Sequence, residues 1–560
     1  MVYCVSCGPG CSKITQEENA YPAGYGSRRL GVSSSVSSKF SLPADPAAWG
    51  TNILANHSES DDFLHNPDVR KGKTKDDIGT IFTTRGLANL GFLLLLCAAL
   101  LALFIGYPVL TFVQKTQTDS FVNTLGVNAS GQVPSVGNYG LIDLDTPSDA
   151  HTIKSQRDGS EWRLVFSDEF NTDGRSFYPG DDPYWEAVNL HYWATNNLEW
   201  YDPAAITTAN GSLVITFSKK EEHDLHYQGG MMSTWNKFCF TGGYFEASVM
   251  LPGINNIVGM WPAVWAMGNL GRAGYGATLD GLWPYSYDSC DVGTAPNQTK
   301  NGLPEASTKD GTKEADFALS YLPGQRLSRC TCPGSSHPGP MHSDGTYVGR
   351  SAPEIDMFEA QVTGTPLMGQ VSQSAQWAPF NDFYVWKNTS DNLVIYNSTG
   401  SELNSYTGGD TQQAASVVTL TNQDCYELSD NPCYTTYGFE YLPGFDDAYI
   451  TWVASGTQAW TLNVAGMGAD TITEISARPI PQEPMVHVDL EHLTFPNHLR
   501  VDYIRVYQDP SKINIGCDPT GFPTASYINT YNEAYTNPNL TTWVDDFKQE
   551  WPKNSFVSSC

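Results

Sequence analysis

The 560 residues carry 31 Lys and Arg against 60 Asp and Glu, a net charge of −29, which excludes nucleic acid as a natural partner because a polyanion would be repelled. The first 85 residues hold nine of each sign, so the whole deficit lies beyond them, together with 14 of the 15 Trp. A neutral polysaccharide is indifferent to that charge, and aromatic rings offer it flat apolar faces, although sandwich cores also consume such rings. Residues 1–85, rich in Ser, Gly, Pro and charge, read as a disordered cytosolic tail. Its Cys4, Cys7 and Cys11 have no fourth ligand near them, the first His being His57, so they read as reduced thiols open to S-acylation rather than as a zinc site.

Gly86 to Val113 contains no charged residue and centres on Leu93–Ile105. That length spans a hydrocarbon core of ~30 Å, and it starts too far from Met1 for a cleavable signal peptide. Arg70, Lys71, Lys73, Lys75 and Arg85 precede it, whereas Lys115 stands nearly alone after it. The positive side stays cytosolic. The chain is therefore expected to be a single-pass type II membrane protein of the secretory pathway (endoplasmic reticulum, Golgi or plasma membrane), with a signal-anchor at 86–113 and the rest lumenal or extracellular. Glycosylation sequons at Asn128, Asn210, Asn297, Asn388, Asn397 and Asn539 lie beyond the anchor and only Asn56 before it. Eight cysteines (Cys239, Cys290, Cys330, Cys332, Cys425, Cys433, Cys517 and Cys560) also lie beyond it. An even number in an oxidising compartment makes them disulfide candidates of undetermined connectivity.

Residues 114–155 read as a polar stalk. From 156 to 510 short β-rich runs alternate with Gly and Pro turns, among them Leu213–Phe217, Tyr244–Val249, Tyr449–Val453 and Val501–Tyr507. This pattern predicts an all-β sandwich or barrel. Within it lies Pro353-Glu354-Ile355-Asp356-Met357-Phe358-Glu359-Ala360. On a strand Glu354 and Asp356 share a face and Glu359 has the opposite parity. One bulged residue between Asp356 and Glu359 brings all three acids to one face, with Ile355 and one of Met357 or Phe358 packed behind. Acids are depleted in strands, and three converging without a task would repel. Paired carboxylates flanking a bond are the requirement for glycoside cleavage.

The stretch resembles the bulged E-x-D-x-x-E signature of glycoside hydrolase family 16, the laminarinase-like β-jelly-roll enzymes. Leu164–Phe170, Phe240–Ala247, Leu251-Pro252, Trp261-Pro262-Ala263-Val264-Trp265 and Val501–Tyr507 resemble that family's other strands. The anchor, Leu322–Arg326, Cys330-Thr331-Cys332-Pro333-Gly334 and the run from Gly349-Arg350 into the acids resemble its fungal membrane-anchored branch associated with β-1,6-glucan synthesis. The resemblance implies a concanavalin-like jelly roll with Glu354 as nucleophile, Glu359 as general acid/base and Asp356 as the carboxylate between them. It implies a retaining glycosidase or transglycosylase in cell-wall β-glucan biosynthesis, acting on a β-glucan polysaccharide or oligosaccharide without a cofactor or metal. Trp261, Trp265 and Trp377 are candidates for stacking on glucosyl rings. The chain departs from the ordinary pattern between Trp265 and Glu354, where an insertion over about 269–349 is expected to wall or cap the groove. Residues 511–560 read as a C-terminal appendage without assigned chemistry. The alternative is a catalytically weak glucan-binding scaffold or assembly factor, which would have no need of three acids at this spacing.

Overall fold

The computed structural model describes residues 83–101, 104, 140–309, 322–378, 386–409, 411–471, 473–489 and 496–560. All but the end of the expected tail, with Asn56 and the three N-terminal cysteines, lies outside these residues, as does Asn128. Thr84–Leu101 is an α-helix carrying the first half of the apolar run. Among the described residues no helix is long and apolar enough to cross a membrane. The expected span 86–113 is described only in part.

From Gly140 onward the described chain is one compact unit. Its strands of five or more residues are Glu161–Asp168 (β1), Leu213–Phe217 (β2), Gly243–Met250 (β3), Ala263–Gly268 (β4), Glu354–Thr363 (β5), Met368–Trp377 (β6), Gln412–Leu420 (β7), Thr435–Leu442 (β8), Tyr449–Ala454 (β9), Thr457–Asn463 (β10), Met485–Asp489 (β11) and Asn497–Gln508 (β12). One antiparallel sheet runs β1–β12–β3–β8–β9–β10, with β2 paired to the first half of β12. The other runs β7–β6–β5–β4–β11. Their inner faces meet in one core that holds Phe245 and Val249 from the first sheet and Val264, Ile355 and Val371 from the second. Trp452 and Trp460 stack at 4.1 Å within it. This is the expected two-sheet antiparallel sandwich, the arrangement that buries one face of each sheet against the other.

The sandwich begins earlier than the expected boundary at residue 156. Thr152–Lys154 pairs with the start of β1, Leu141 packs on the core, and the buried Glu440 carboxylate accepts from Ser155 Oγ and from the Gln156 and Arg157 backbone N–H groups. Residues 140–155 are therefore part of the domain: Leu141 packs on its core, Thr152–Lys154 extends its sheet, and Ser155 supplies one of the donors that the buried Glu440 requires.

The insertion and the appendage fold together. Leu270, Leu282 and Leu327 of the first and Tyr527, Tyr535 and Trp543 of the second share a separate hydrophobic core with Met231 and Met267 of the sandwich. Four disulfides, Cys239–Cys517, Cys290–Cys330, Cys332–Cys560 and Cys425–Cys433, join all eight expected cysteines. Two of them tie the appendage down, one to the insertion and one beside β3. The Arg326 guanidinium lies 3.7 Å over the Trp543 ring and donates to the Ala277 and Asp280 carbonyls. All five described sequon asparagines, Asn210, Asn297, Asn388, Asn397 and Asn539, are exposed.

Candidate active site

The register of β5 decides where its acids point. Against β6, Asp356 pairs with Ser374 and Glu359 with Ser372, so that two residues, Met357 and Phe358, face one, Gln373. Against β4 the shift falls between Val264 and Trp265. One extra residue, Met357, is accommodated, so Glu354, Asp356 and Glu359 share the outer face as the bulge predicts. Both Met357 and Phe358 are fully buried behind them, where one was expected.

The bulge is fixed from inside the core. Gln373 Nε2 donates to the carbonyls of Met357 and Val453, each at 3.0 Å. Trp452 Nε1 donates to the Asp356 carbonyl at 2.8 Å. The backbone groups that the bulge removes from the ladder are thus satisfied by side chains. The approach to β5 is equally constrained. Arg350, fully buried, forms a two-pronged pair with Glu483 at 2.7 and 2.8 Å and donates to the Gly339 and Pro523 carbonyls. Gly349 passes so close to the Tyr287 carbonyl that a Cβ has no room.

Each acid has its own environment. Ser374 Oγ and Gln376 Nε2 donate to Asp356 Oδ2 at 2.7 and 2.8 Å. Trp283, from the insertion, donates Nε1–H to Glu354 Oε2 at 2.6 Å. Burial, then the charges of Asp356 and Glu359, holds Glu354 well above the usual carboxylate range, and the Trp283 donor opposes that rise. Burial also raises Asp356, against the pull of Ser374, Gln376 and Glu354. Glu359 is pushed up to about 8 by burial and by Asp356. The Trp261 indole N–H acts in the opposite direction on Glu359 but makes no hydrogen bond of good geometry. Three acids in one buried site cannot all ionise at neutral pH. Glu359 retains its proton there, while Glu354 and Asp356 lie in mutual hydrogen-bonding contact. The arrangement provides a proton donor and an anionic oxygen on one face, the pair that glycoside cleavage requires.

The aromatic candidates separate. Trp265 sits directly across from Asp356 on β4, and both it and Trp261 remain partly accessible. Trp377, by contrast, is fully buried in the sandwich core. It shares the parity of Gln373 and Ala375, opposite to Ser374 and Gln376, so it cannot stack on a sugar in the groove. Trp283, Gln373 and Trp452 were missed. A Gln at a core-facing position among Val371, Ala375 and Trp377 is the sequence signal for the second of these; Trp283, 71 residues before its partner, leaves none in the local pattern.

Residues 51–560 match the family described as beta-glucan synthesis-associated protein SKN1/KRE6/Sbg1. The chain belongs to that family. The beta-glucan synthesis-associated protein KRE6 of Candida albicans is 41% identical over 537 residues, covering 90% of this chain and 68% of that protein. KRE6 of Saccharomyces cerevisiae is 40% identical over 528 residues, covering 91% and 70%. Among solved structures, the catalytic domain of an endo-1,3-beta-glucanase (laminarinase) from Thermotoga petrophila is similar at 18% identity, with a TM-score of 0.33, over 62% of this chain and 98% of that one.

Proposed function

We propose that this family member is a β-glucan-active retaining glycosidase or transglycosylase that builds or remodels cell-wall β-glucan, with β-1,6-linked glucan as its product. The observation that carries the reading is the bulged β5, which aligns a proton-bearing Glu359 with a Glu354–Asp356 pair on one face. Glu354 attacks the anomeric carbon while Glu359 gives its proton to the departing glycosidic oxygen, leaving a glycosyl ester on Glu354 and an ionised Glu359. An acceptor hydroxyl then attacks that ester, losing its proton to Glu359. Water as acceptor gives hydrolysis and a sugar gives transfer. Asp356 takes up the shared proton as Glu354 ionises and holds Glu354 in place. Trp283 stabilises the ionised Glu354, and Trp261 and Trp265 present faces for glucosyl rings.

We also propose that residues 86–113 anchor the chain in the bilayer with the sandwich on the lumenal or extracellular side. The basic flank before the span supports this, as do the exposed sequon asparagines and four disulfides beyond it, which belong to an oxidising compartment. Endoglycosidase treatment should shift the full chain's mass on gels, and Asn56→Gln should leave that shift unchanged.

The catalytic reading is tested by incubating the purified full chain with defined β-1,3- and β-1,6-gluco-oligosaccharides, wild type beside Glu354→Gln, and weighing the products. Longer or rearranged products with wild type alone are the expected result. Unaltered substrate, from folded protein that binds glucan, would instead leave a scaffold.

A further inference from the structure

The second hydrophobic core meets the chemistry above only through Trp265 and Trp283, which pack against it, and it sits on the face of the sheet that carries the acids. Along β4, Val264 and Ala266 point into the sandwich core, and Trp265 and Met267 point outward beside Asp356 and Glu354. Met267 is nevertheless 1% exposed, and Met231, on the same outer face farther along the sheet, is 3% exposed. What covers them is the core built by the insertion and the appendage. Trp265 is half-covered by the same core, and Trp283 reaches from it to Glu354. On this flank the groove therefore ends about one strand spacing from the acids, ~4.8 Å, comparable to a single pyranose ring.

The opposite flank is built differently. There β6 and β7 put Ser372, Ser374 and Ser416 on the acid-bearing face; Ser374 and Ser416 are buried, and Ser372, hydrogen-bonded to Ser416 at 2.9 Å, stays partly accessible and carries no bulk above the sheet. The same face continues to the sheet edge, where Gln370, Val418 and Glu402 line a recess of about 170 Å³. Nor is the wall a swinging lid. It is tied by Cys332–Cys560 and Cys239–Cys517, pinned by the Arg350–Glu483 pair at its base, and interleaved with the sandwich through backbone bonds such as Ala352 N–H to the Leu282 carbonyl at 3.0 Å.

We propose that this wall restricts the site to glucan chain ends. A terminus sits against Trp283 and Trp265, and the rest of the chain passes over Ser372 toward the recess beside Gln370 and Val418. The inference rests on the glycosidase reading for its turnover and on the wall alone for its binding. The bond that breaks is one close to the terminus; the anomeric carbon passes to Glu354, and Glu359 supplies and recovers the proton as before. A groove open on both sides would accept an interior segment, whereas a blind one cannot.

Two measurements with the full chain test this. Linear gluco-oligosaccharides of one length, labelled at the reducing end, should yield early products shortened or extended by one or two units from a single end, whichever end that is. A broad spread of mid-length fragments at early times would overturn the wall and leave the glycosidase reading intact. Independently of turnover, Glu354→Gln should bind a linear oligosaccharide at least tenfold more tightly than a cyclic β-glucan of the same linkage, which has no end. Equal affinity for the two overturns the proposal. End-dependent binding without turnover of any substrate would remove the glycosidase reading and leave the wall standing.

Discussion

Trp283→Phe isolates one interaction in the proposed mechanism. The substitution keeps an aromatic ring in the wall and removes only the Nε1–H that reaches Glu354 Oε2 at 2.6 Å. A hydrogen bond to a charged group contributes about 1.5–3 kcal/mol. That bond favours the carboxylate that forms when Glu354 ionises, so its loss disfavours the form that attacks and corresponds to roughly a 10- to 150-fold fall in the rate of glycosyl-ester formation. The sign on pH follows from the same contact. Trp283 lowers a pKa that burial and two neighbouring acids have raised; without it the pKa rises further, and the acid limb of the pH profile moves to higher pH. The assay is covalent labelling of Glu354 by an epoxide-bearing β-glucoside, followed by intact mass from pH 4 to 9, which reports the nucleophile without requiring an acceptor. A slower rate with an unmoved acid limb would mean that Trp283 only shapes the groove. An unchanged rate would refute its role altogether.

Four further outcomes follow from contacts in the site and its surroundings. Glu359 has its pKa raised to about 8, so activity should fall as pH rises through 8. A carboxyl whose folded pKa lies above its unfolded value loses stability as pH rises between the two, so Glu359→Gln should melt at a higher temperature than wild type, the gap widening from pH 5 to 8. Arg350→Met strands Glu483 in a buried site and should cost about 3–5 kcal/mol, read by thermal unfolding, whereas Met at both positions should recover most of it. Cys560→Ser frees the end of the appendage from Cys332 and should lower stability by about 2–4 kcal/mol; it should also reduce Glu354 labelling if the wall is what holds Trp283. Unaltered labelling in a destabilised protein would separate the wall's anchoring from Trp283's placement.

The parts legible in the sequence were those that a single strand determines. Three acids of conflicting parity within six residues require a bulge if they are to act together, and β5 has one. Alternation and turn chemistry narrow the fold to an all-β sandwich or barrel, and the resemblance of the strand sequences points to the sandwich. What escaped depends on register between strands or on contacts across long separations. Trp377 lies in a strand whose neighbours Gln376 and Ser374 do face the acids, and only pairing with β5 reveals that it has the other parity. Eight cysteines allow 105 pairings, and the pairs formed are separated by up to 278 residues. Residues 140–155 read as stalk because their contacts are distant in sequence, Ser155 meeting the buried Glu440 carboxylate 285 positions away.

The division has a physical origin that also bears on function. The reacting groups need fixed spacing over a few ångströms, which one bulged strand provides locally, with Gln373 and Trp452 holding its backbone. Which glycan reaches those groups depends on what stands beside them, and here that is assembled from the insertion and from the last fifty residues, stapled together. Under the proposed mechanism the chemistry resides in β5 and the choice of substrate in distant segments, since Met267 and Trp265 lie against the wall on the strand that pairs with Glu354 and Asp356. Trp283 is the exception that couples the two. It belongs to the wall by its packing and to the site by its hydrogen bond, so disturbing the wall should change turnover as well as selectivity.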